Sequence, residues 1–211
     1  MHYRELNYTL GNIDLYLLDH ILKGRFKSDM RLLDAGCGEG RNLIYFIREN
    51  YDVWGVDRDA AALKLLRLYG RTLHPEFDPE KIIEDDVADI SLPPASFDAI
   101  ISSAVLHFAQ DHQHFQKMFS ELNRLLRPGG LLFIRTAMLS GIKEEATPLG
   151  KGGRYKLPDG SERYLLSVQL LDALCQTYQL KLLEPIKYVV VHQARSMSSI
   201  LLQKSADDKQ T

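Results

Sequence analysis

Three glycines at alternate positions, Gly36, Gly38 and Gly40, follow an apolar run that stops abruptly at Asp34, and an amphipathic segment opens at Arg41. This is the pattern of a buried strand, a glycine loop and a helix. Glycine accepts positive φ and lets backbone approach a ligand closely. A helix start adds unpaired N–H groups and a partly positive dipole end, suited to a carboxylate or a sugar hydroxyl. The spacing Gly-x-Gly-x-Gly departs from the dinucleotide fingerprint Gly-x-Gly-x-x-Gly, because Arg41 occupies the sixth position. The Gly-Lys-Ser/Thr of a phosphate-binding loop is also missing. A second acid, Asp57, ends the next apolar run, where an acid binds ribose hydroxyls in nucleoside-recognising folds. Asp86, Ser103 and Arg135 end later runs. Chemistry-bearing residues therefore gather at strand ends.

The elements that must hold these residues alternate in type. Strands are expected at 31–34, 53–56, 82–83, 97–102 and 131–134. Helices follow the glycine loop, span 60–69 behind an Asp59 cap with Leu63, Leu66 and Leu68 for burial and Gly70 as stop, and begin at Asp111. The last carries Phe115, Met118, Phe119, Leu122, Leu125 and Leu126 on one stripe, and Pro128-Gly129-Gly130 is expected to end it. An earlier helix reads from an Asn12 cap through Ile13, Leu17, Ile21 and Leu22 to Gly24, with Tyr3 and Tyr8 in a polar lead segment and packing on the core. Such alternation requires a mainly parallel sheet covered on both faces, and right-handed crossovers make it doubly wound. After the fifth strand the pattern changes. Residues 140–164 form a long segment with a tight turn at Pro158-Asp159-Gly160-Ser161, Ser167 caps a helix over 168–178, and strands at 187–192 and 198–203 close the chain. Their short connection forces them antiparallel.

A chain of 211 residues with 45% hydrophobic content supports one sizeable core. The formal net charge of −2 gives no global reason to expect nucleic acid or an acidic membrane. No apolar run approaches the roughly 20 residues that span a bilayer, and residues 1–7 lack the apolar core of a secretion signal. The two cysteines, Cys37 and Cys175, suggest no disulfide framework, so a reducing cytoplasm is the expected location.

Five stretches, in order and in spacing, resemble the motifs of the class I S-adenosylmethionine-dependent methyltransferases. They are Leu33-Asp34-Ala35-Gly36-Cys37-Gly38-Glu39-Gly40, Trp54-Gly55-Val56-Asp57, Glu84-Asp85-Asp86-Val87, Ser96-Phe97-Asp98-Ala99-Ile100-Ile101 and Leu125-Leu126-Arg127-Pro128-Gly129-Gly130-Leu131. The resemblance, which is closest to small stand-alone bacterial-type members, implies one doubly wound, Rossmann-like α/β domain over 1–204. Its sheet would have seven mainly parallel strands with an antiparallel C-terminal hairpin. Residues 1–30 would serve as N-terminal lid and helix, 140–166 as an acceptor-side insertion, and 205–211 as a polar tail. The implied cofactor is S-adenosyl-L-methionine, leaving as S-adenosyl-L-homocysteine. Carried over by position, Asp34, Gly36, Cys37 and Gly38 would surround the methionine portion, Asn42 would also contact the cofactor, and Gly40 would set helix-to-strand packing. Asp57 would accept from both ribose hydroxyls, with Arg58 beside the adenine. Asp86, preferred to Asp85 because Val87 follows it, would take the adenine amino group with the help of the Val87 backbone. Ser103 would lie near the sulfonium.

The implied reaction is in-line displacement on the activated methyl carbon, for which a sulfonium is already a good leaving group, so the protein mainly supplies proximity and alignment. A base is needed only when the nucleophile must lose a proton early. His107 and Arg135 are the acceptor-side candidates. His107 reads better as a histidine packed at a helix–sheet junction, and Arg135 reads equally well as an exposed or structurally paired arginine. The basic stretch 151–164, interleaved with Tyr155 and Tyr164, reads as a solvated hairpin that forms part of the acceptor site or its lid. His107, Asp111, His112 and His114 cluster in sequence, but His112 and His114 point to different helix faces, so no metal site is expected. The expected acceptor is a small molecule, with nucleic acid unlikely for want of an Asn-Pro-Pro-Tyr type motif or an attached RNA-binding module. No motif specifies which small molecule, or an oligomeric state. The alternatives are a nucleotide-dependent oxidoreductase on a similar fold and a non-catalytic S-adenosylmethionine-binding protein.

Overall fold

A computed structural model describes residues 2–206. The polar tail expected at 205–211 therefore lies mostly outside the described residues. Seven strands form one continuous hydrogen-bonded path. In chain order they are β1 (Arg31–Ala35), β2 (Asp52–Asp57), β3 (Ile82–Glu84), β4 (Phe97–Ser103), β5 (Leu126–Ala137), and, after a small separate sheet, β10 (Lys187–Val191) and β11 (Arg195–Lys204). Their spatial order is β10-β11-β5-β4-β1-β2-β3, with β1 to β5 mutually parallel, β11 antiparallel to β5 and β10 antiparallel to β11. An eighth short strand that the sequence did not signal, β9 (Leu180–Leu182), pairs with the far end of β11.

Alternation along the strands sends successive side chains to opposite faces. Leu32, Val53, Ala99, Ile101, Phe133 and Leu201 face one core, with α2 (Leu15–Leu22), α3 (Ile44–Arg48) and α4 (Ala60–Leu73). Leu33, Val56, Ile100, Leu132, Ile134 and Leu202 face the other, with α5 (His112–Leu125) and α6 (Val168–Thr177). Both faces are covered, so the strands read as near-continuous apolar runs.

Several local expectations are corrected. The cap of α2 is Asp14 rather than Asn12, because the Asp14 carboxylate accepts from the N–H groups of Tyr16 and Leu17. The lead segment is itself a helix, α1 (Tyr3–Leu10), closed by a capping box between His2 and Glu5. It buries none of its residues, so Tyr3 and Tyr8 do not pack on the core; Tyr8 instead lies against the Arg48 guanidinium, 4.0 Å from its ring centroid. Gly70 sits inside α4, where a Cβ would collide with the Phe77 ring, and Leu68 is exposed. Pro128-Gly129-Gly130 lies within β5 rather than before it. The helix has already stopped at Leu125, because Leu126 is extended, and Arg127, preceding proline, is disfavoured from helix.

The segment after β5 forms a second sheet, β6 (Thr147–Pro148), β7 (Arg154–Lys156) and β8 (Glu162–Tyr164), over its own core of Ala137, Ile142, Ala146, Leu157 and Leu165. The Leu157 N–H donates to the Ser161 carbonyl across the expected tight turn. Tyr164 pins this sheet to α5: its ring stacks on Phe115 at 4.5 Å and its hydroxyl lies 2.8 Å from His112 Nδ1.

The glycine loop has two positions where only glycine fits. Gly36 has φ +84° and a Cβ there would strike Val105; Gly40 has φ +82° and a Cβ would strike Leu66 of α4. Gly40 thus sets packing against a helix, not against a strand as expected. Gly129 has similar backbone, φ +78°, but opens onto empty space. We predict that Gly40→Ala costs about 2–4 kcal/mol, from backbone strain plus overpacking, while Gly129→Ala costs only the strain of about 1 kcal/mol. Chemical denaturation checks this, and equal losses at both sites would show that Leu66 does not limit the loop.

Candidate functional site

Strand order reverses between β1 and β4: the chain steps outward from β1 to β2 and β3 on one side, and from β4 to β5 on the other. Loops leaving the carboxyl ends diverge there and leave a crevice, where ligands of open α/β sheets bind. A cleft of about 310 Å³ occupies this position, lined by Gly36, Asp57, Arg58, Asp85, Asp86 and Val87 on the loops after β1, β2 and β3. Its far wall is Ala104 and Val105 after β4, Phe108, and His114 and Met118 of α5.

The carboxylates in this cleft are committed to different degrees. Asp57 Oδ2 accepts from the Gly38 N–H at 2.8 Å and its Oδ1 from the Asp59 N–H at 3.0 Å, so the acid orders the glycine loop as well as facing the cleft. Asp85 is engaged on one oxygen by both the N–H and the hydroxyl of Ser91. Asp86 accepts on Oδ1 from the Ala88 N–H, and its other oxygen has no hydrogen bond among the described residues.

Asp34 is buried just before the loop, with Oδ1 lacking any hydrogen-bond partner. Burial pushes its carboxyl up to about 7, aided by the nearby Asp57 and opposed by the Arg41 guanidinium. A buried carboxyl short of a partner is the complement of an ammonium or another donor. Arg41, whose role sequence reasoning missed, also reaches across the crevice to Ser103 Oγ at 3.5 Å. Its position three residues into the loop–helix junction carried no motif signal. His114, Phe108 and Met118 were likewise missed as cleft residues, since helical periodicity marks the buried stripe but not which end meets a crevice.

Three expected residues turn elsewhere. The Cys37 thiol is buried in the core against Gly55, its N–H donates to the Val56 carbonyl, and burial raises its pKa, so its side chain does not face the cleft. Asn42 Oδ1 accepts from the Asp14 N–H, anchoring α2 to the loop helix. Arg135 pairs with Asp14 at 3.1 Å and lies over the Tyr16 ring at 4.8 Å, the structural pairing weighed above, although its Nη1 has no partner.

A second cleft, of about 390 Å³, opens beneath β10, β11 and the small sheet, and shares Ala104 with the first. His107 and Arg135 both line it. His107 is buried, and its Nδ1 accepts from the Ala137 N–H at 3.4 Å. Burial and the nearby Arg163 push its pKa down to about 4. The ring is therefore neutral at pH 7, with its proton on Nε2, and offers the cleft a donor rather than a base. His112 and His114 are each engaged by a neighbour, Tyr164 and the Gln110 N–H. Asp19, His20 and Glu184 are the metal-competent trio among the described residues, but Lys23, Arg25 and Lys187 already neutralise the two carboxylates.

A cleft of nucleoside size at the switch point, lined by Asp57, Asp85 and Asp86, thus adjoins a second cavity at Ala104. Residues 33–134 match the family model described as a methyltransferase domain. The chain is 26% identical over 159 residues to malonyl-[acyl-carrier protein] O-methyltransferase of Pectobacterium atrosepticum, covering 74% of this chain and 56% of that protein. It is 28% identical over 160 residues to the human tRNA N(3)-cytidine methyltransferase METTL2B, covering 70% of this chain and 41% of that one. The chain thus spans about half the length of these curated relatives. The crystal structure of an S-adenosylmethionine-dependent methyltransferase from Methanosarcina mazei superposes with a TM-score of 0.71 at 19% identity, over 89% of this chain and 98% of that chain, and so shares the fold. Residues 33–134 thus form a domain of the class I S-adenosylmethionine-dependent methyltransferase type, a family whose methyl donor is S-adenosyl-L-methionine. The residues present fit that donor: Asp34 has an orphaned acceptor, Gly36 has no room for a Cβ, and acids wait at the nucleoside end.

Two predictions follow from this geometry. Asp57→Ala should weaken S-adenosylhomocysteine binding by about 1–3 kcal/mol, the scale of a lost hydrogen bond to a charged group. Calorimetry on the folded variant reads this directly, and unchanged affinity rules out Asp57 as the ribose acceptor. The second concerns pH. The folded Asp34 carboxyl ionises near 7 and the unfolded one near 4, so the unliganded protein loses stability as pH rises across that interval. S-adenosylhomocysteine affinity should rise over the same interval, as Asp34 becomes an anion facing the ligand ammonium. Asp34→Asn should flatten both trends, and persistence of both in that variant refutes the assignment.

Proposed function

We propose that this chain transfers the methyl group of S-adenosylmethionine to a small-molecule acceptor seated in the second cleft. The observation that carries this reading is the pair of cavities meeting at Ala104: one fits the adenosyl donor, and the other is a separate chamber roofed by the insertion and the closing hairpin. In this reading Asp57 takes the ribose hydroxyls, Asp86 the adenine amino group beside Val87, and Arg58 flanks the base. The free oxygen of Asp86 and the Ser91-engaged state of Asp85 support that order. Asp34 receives the methionine ammonium, and Arg41, near Asp34 and Ser103, receives its carboxylate.

The acceptor's lone pair attacks the methyl carbon from the second cleft, in line with the breaking carbon–sulfur bond. S-adenosylmethionine would supply the methyl carbon and leave as neutral S-adenosylhomocysteine, the positive charge passing to the acceptor, which would then release any N–H or O–H proton to solvent. Placement of the two partners on either side of Ala104 supplies the rate, because holding reactants in line removes much of the entropic barrier. His107, neutral and donating from Nε2, orients the acceptor rather than deprotonating it. An acceptor that already carries its lone pair suits such a site.

Tritiated S-adenosylmethionine, incubated with the protein and a cell extract resolved into metabolites and RNA, tests the reading. Label in the metabolite fraction is the expected outcome. Label confined to RNA would reassign the acceptor toward the chemistry named for the tRNA-modifying relatives. Bound S-adenosylhomocysteine with no transfer to either fraction would favour a non-catalytic binding role, and tight NADH binding without S-adenosylhomocysteine binding would favour an oxidoreductase.

A further inference from the structure

The second cleft has a charge character that the donor site does not require. Three arginines line it from three different elements: Arg135 at the end of β5, Arg163 in β8 and Arg195 at the start of β11. Elements distant in sequence thus bring cations to one chamber. Arg135 is held by Asp14, yet its Nη1 is buried without a hydrogen-bond partner. Arg163 lies over the Phe108 ring at 4.9 Å and spends one N–H on the Glu162 carbonyl. Neither Arg163 nor Arg195 is held in an ion pair among the described residues. The one acid lining the cleft, Asp159, accepts on Oδ1 from the N–H and hydroxyl of Ser161, and these bonds, with the nearby Arg195 and Arg163 charges, hold its carboxyl below the usual carboxylate range. Apart from His107 and Ser161, the remaining walls are apolar, including Leu157, Val189 and Met197.

Three guanidinium groups set against Asp14 and Asp159 leave the cleft with a net positive charge, and each like charge raises the potential felt by the others. Planar guanidinium forks match carboxylate and phosphate oxygens in a bidentate manner. The depressed basicity of His107, to which Arg163 contributes, is consistent with a positive potential in the same space.

We infer that the methyl acceptor is an amphipathic small molecule with an anionic group, a carboxylate or a phosphate, held by Arg135, Arg163 and Arg195 while its apolar body lies against the walls of the second cleft. The inference rests on the reading of that cleft as the acceptor site. The anion acts as the handle that fixes the acceptor's pose at Ala104.

The test uses the full chain saturated with S-adenosylhomocysteine and three matched probes: hexanoate, hexyl phosphate and the neutral hexanamide. Calorimetric or NMR titration should show at least one anionic probe binding about tenfold or more tightly than the amide. The double variant Arg163→Gln/Arg195→Gln should lose that preference while keeping its affinity for S-adenosylhomocysteine. A preference for hexanoate over hexyl phosphate assigns the handle as a carboxylate, and the reverse assigns a phosphate. Equal binding of acid and amide, retention of the preference in the double variant, or no binding of any anionic probe at millimolar concentration overturns the inference while leaving the donor site standing. Failure of the unmodified protein to bind S-adenosylhomocysteine overturns the donor reading, and this inference with it.

Discussion

The reversal of strand order between β1 and β4 is the constraint on which the rest of this structure depends. Two adjacent parallel strands send their chains to opposite sides, so nothing fills the space above their carboxyl ends except loops. Those loops must be ordered without filling the gap. The Asp57 carboxylate does this by accepting from the Gly38 and Asp59 N–H groups, which draws the glycine loop toward β2 and fixes the start of α4. Gly36 and Gly40 let the loop lie against Val105 and Leu66 with no side chain between. One acid and two glycines thus convert a topological gap into a shaped cleft.

Electrostatics around the cleft follow from the same burial. Asp34 stands at the end of a central strand with both neighbours paired, where water cannot reach it and no protein donor meets Oδ1. Its raised pKa is a cost borne by the unliganded protein, of the kind that collects at ligand sites. Arg135 shows the opposite solution. Asp14 supplies its counter-charge from α2 and also caps that helix, so one carboxylate organises the N-terminal segment and the floor of the second cleft together.

The segment after β5 builds a second small sheet of its own. It has a core separate from the two faces of the main sheet, and Tyr164 fastens it to α5 through Phe115 and His112. Burial pushes the Tyr164 hydroxyl up to about 12, which keeps it a neutral partner for His112 at ordinary pH. Arg163, next in sequence to this anchor, is thereby delivered to the rim of Phe108, at the border of the donor and second clefts.

Much of this was legible in the order of residues. Strand–loop–helix punctuation, period-two burial on the strands and the glycine spacing each express a local rule, so the doubly wound class, the antiparallel close and the acids Asp34, Asp57 and Asp86 could be read directly. Asp59, Asp111 and Ser167 were readable as caps for the same reason, since a cap needs only its own next turn. What the sequence left open depended on partners far along the chain. Asn12 and Asp14 are both competent caps, and only the contacts of Asp14 with Asn42 and Arg135 select it. Gly70 looks like a stop until Phe77 is seen packing on it. Cys37 and His107 carry chemistry in the sequence, yet burial turns one into core and makes the other a neutral donor. Tertiary structure alone decided that Arg135, Arg163 and Arg195, up to 60 positions apart, would share one cavity. Local backbone preference acts over a few residues and is written in sequence; the potential inside a cavity is a sum over everything that surrounds it, and exists only once the chain has closed.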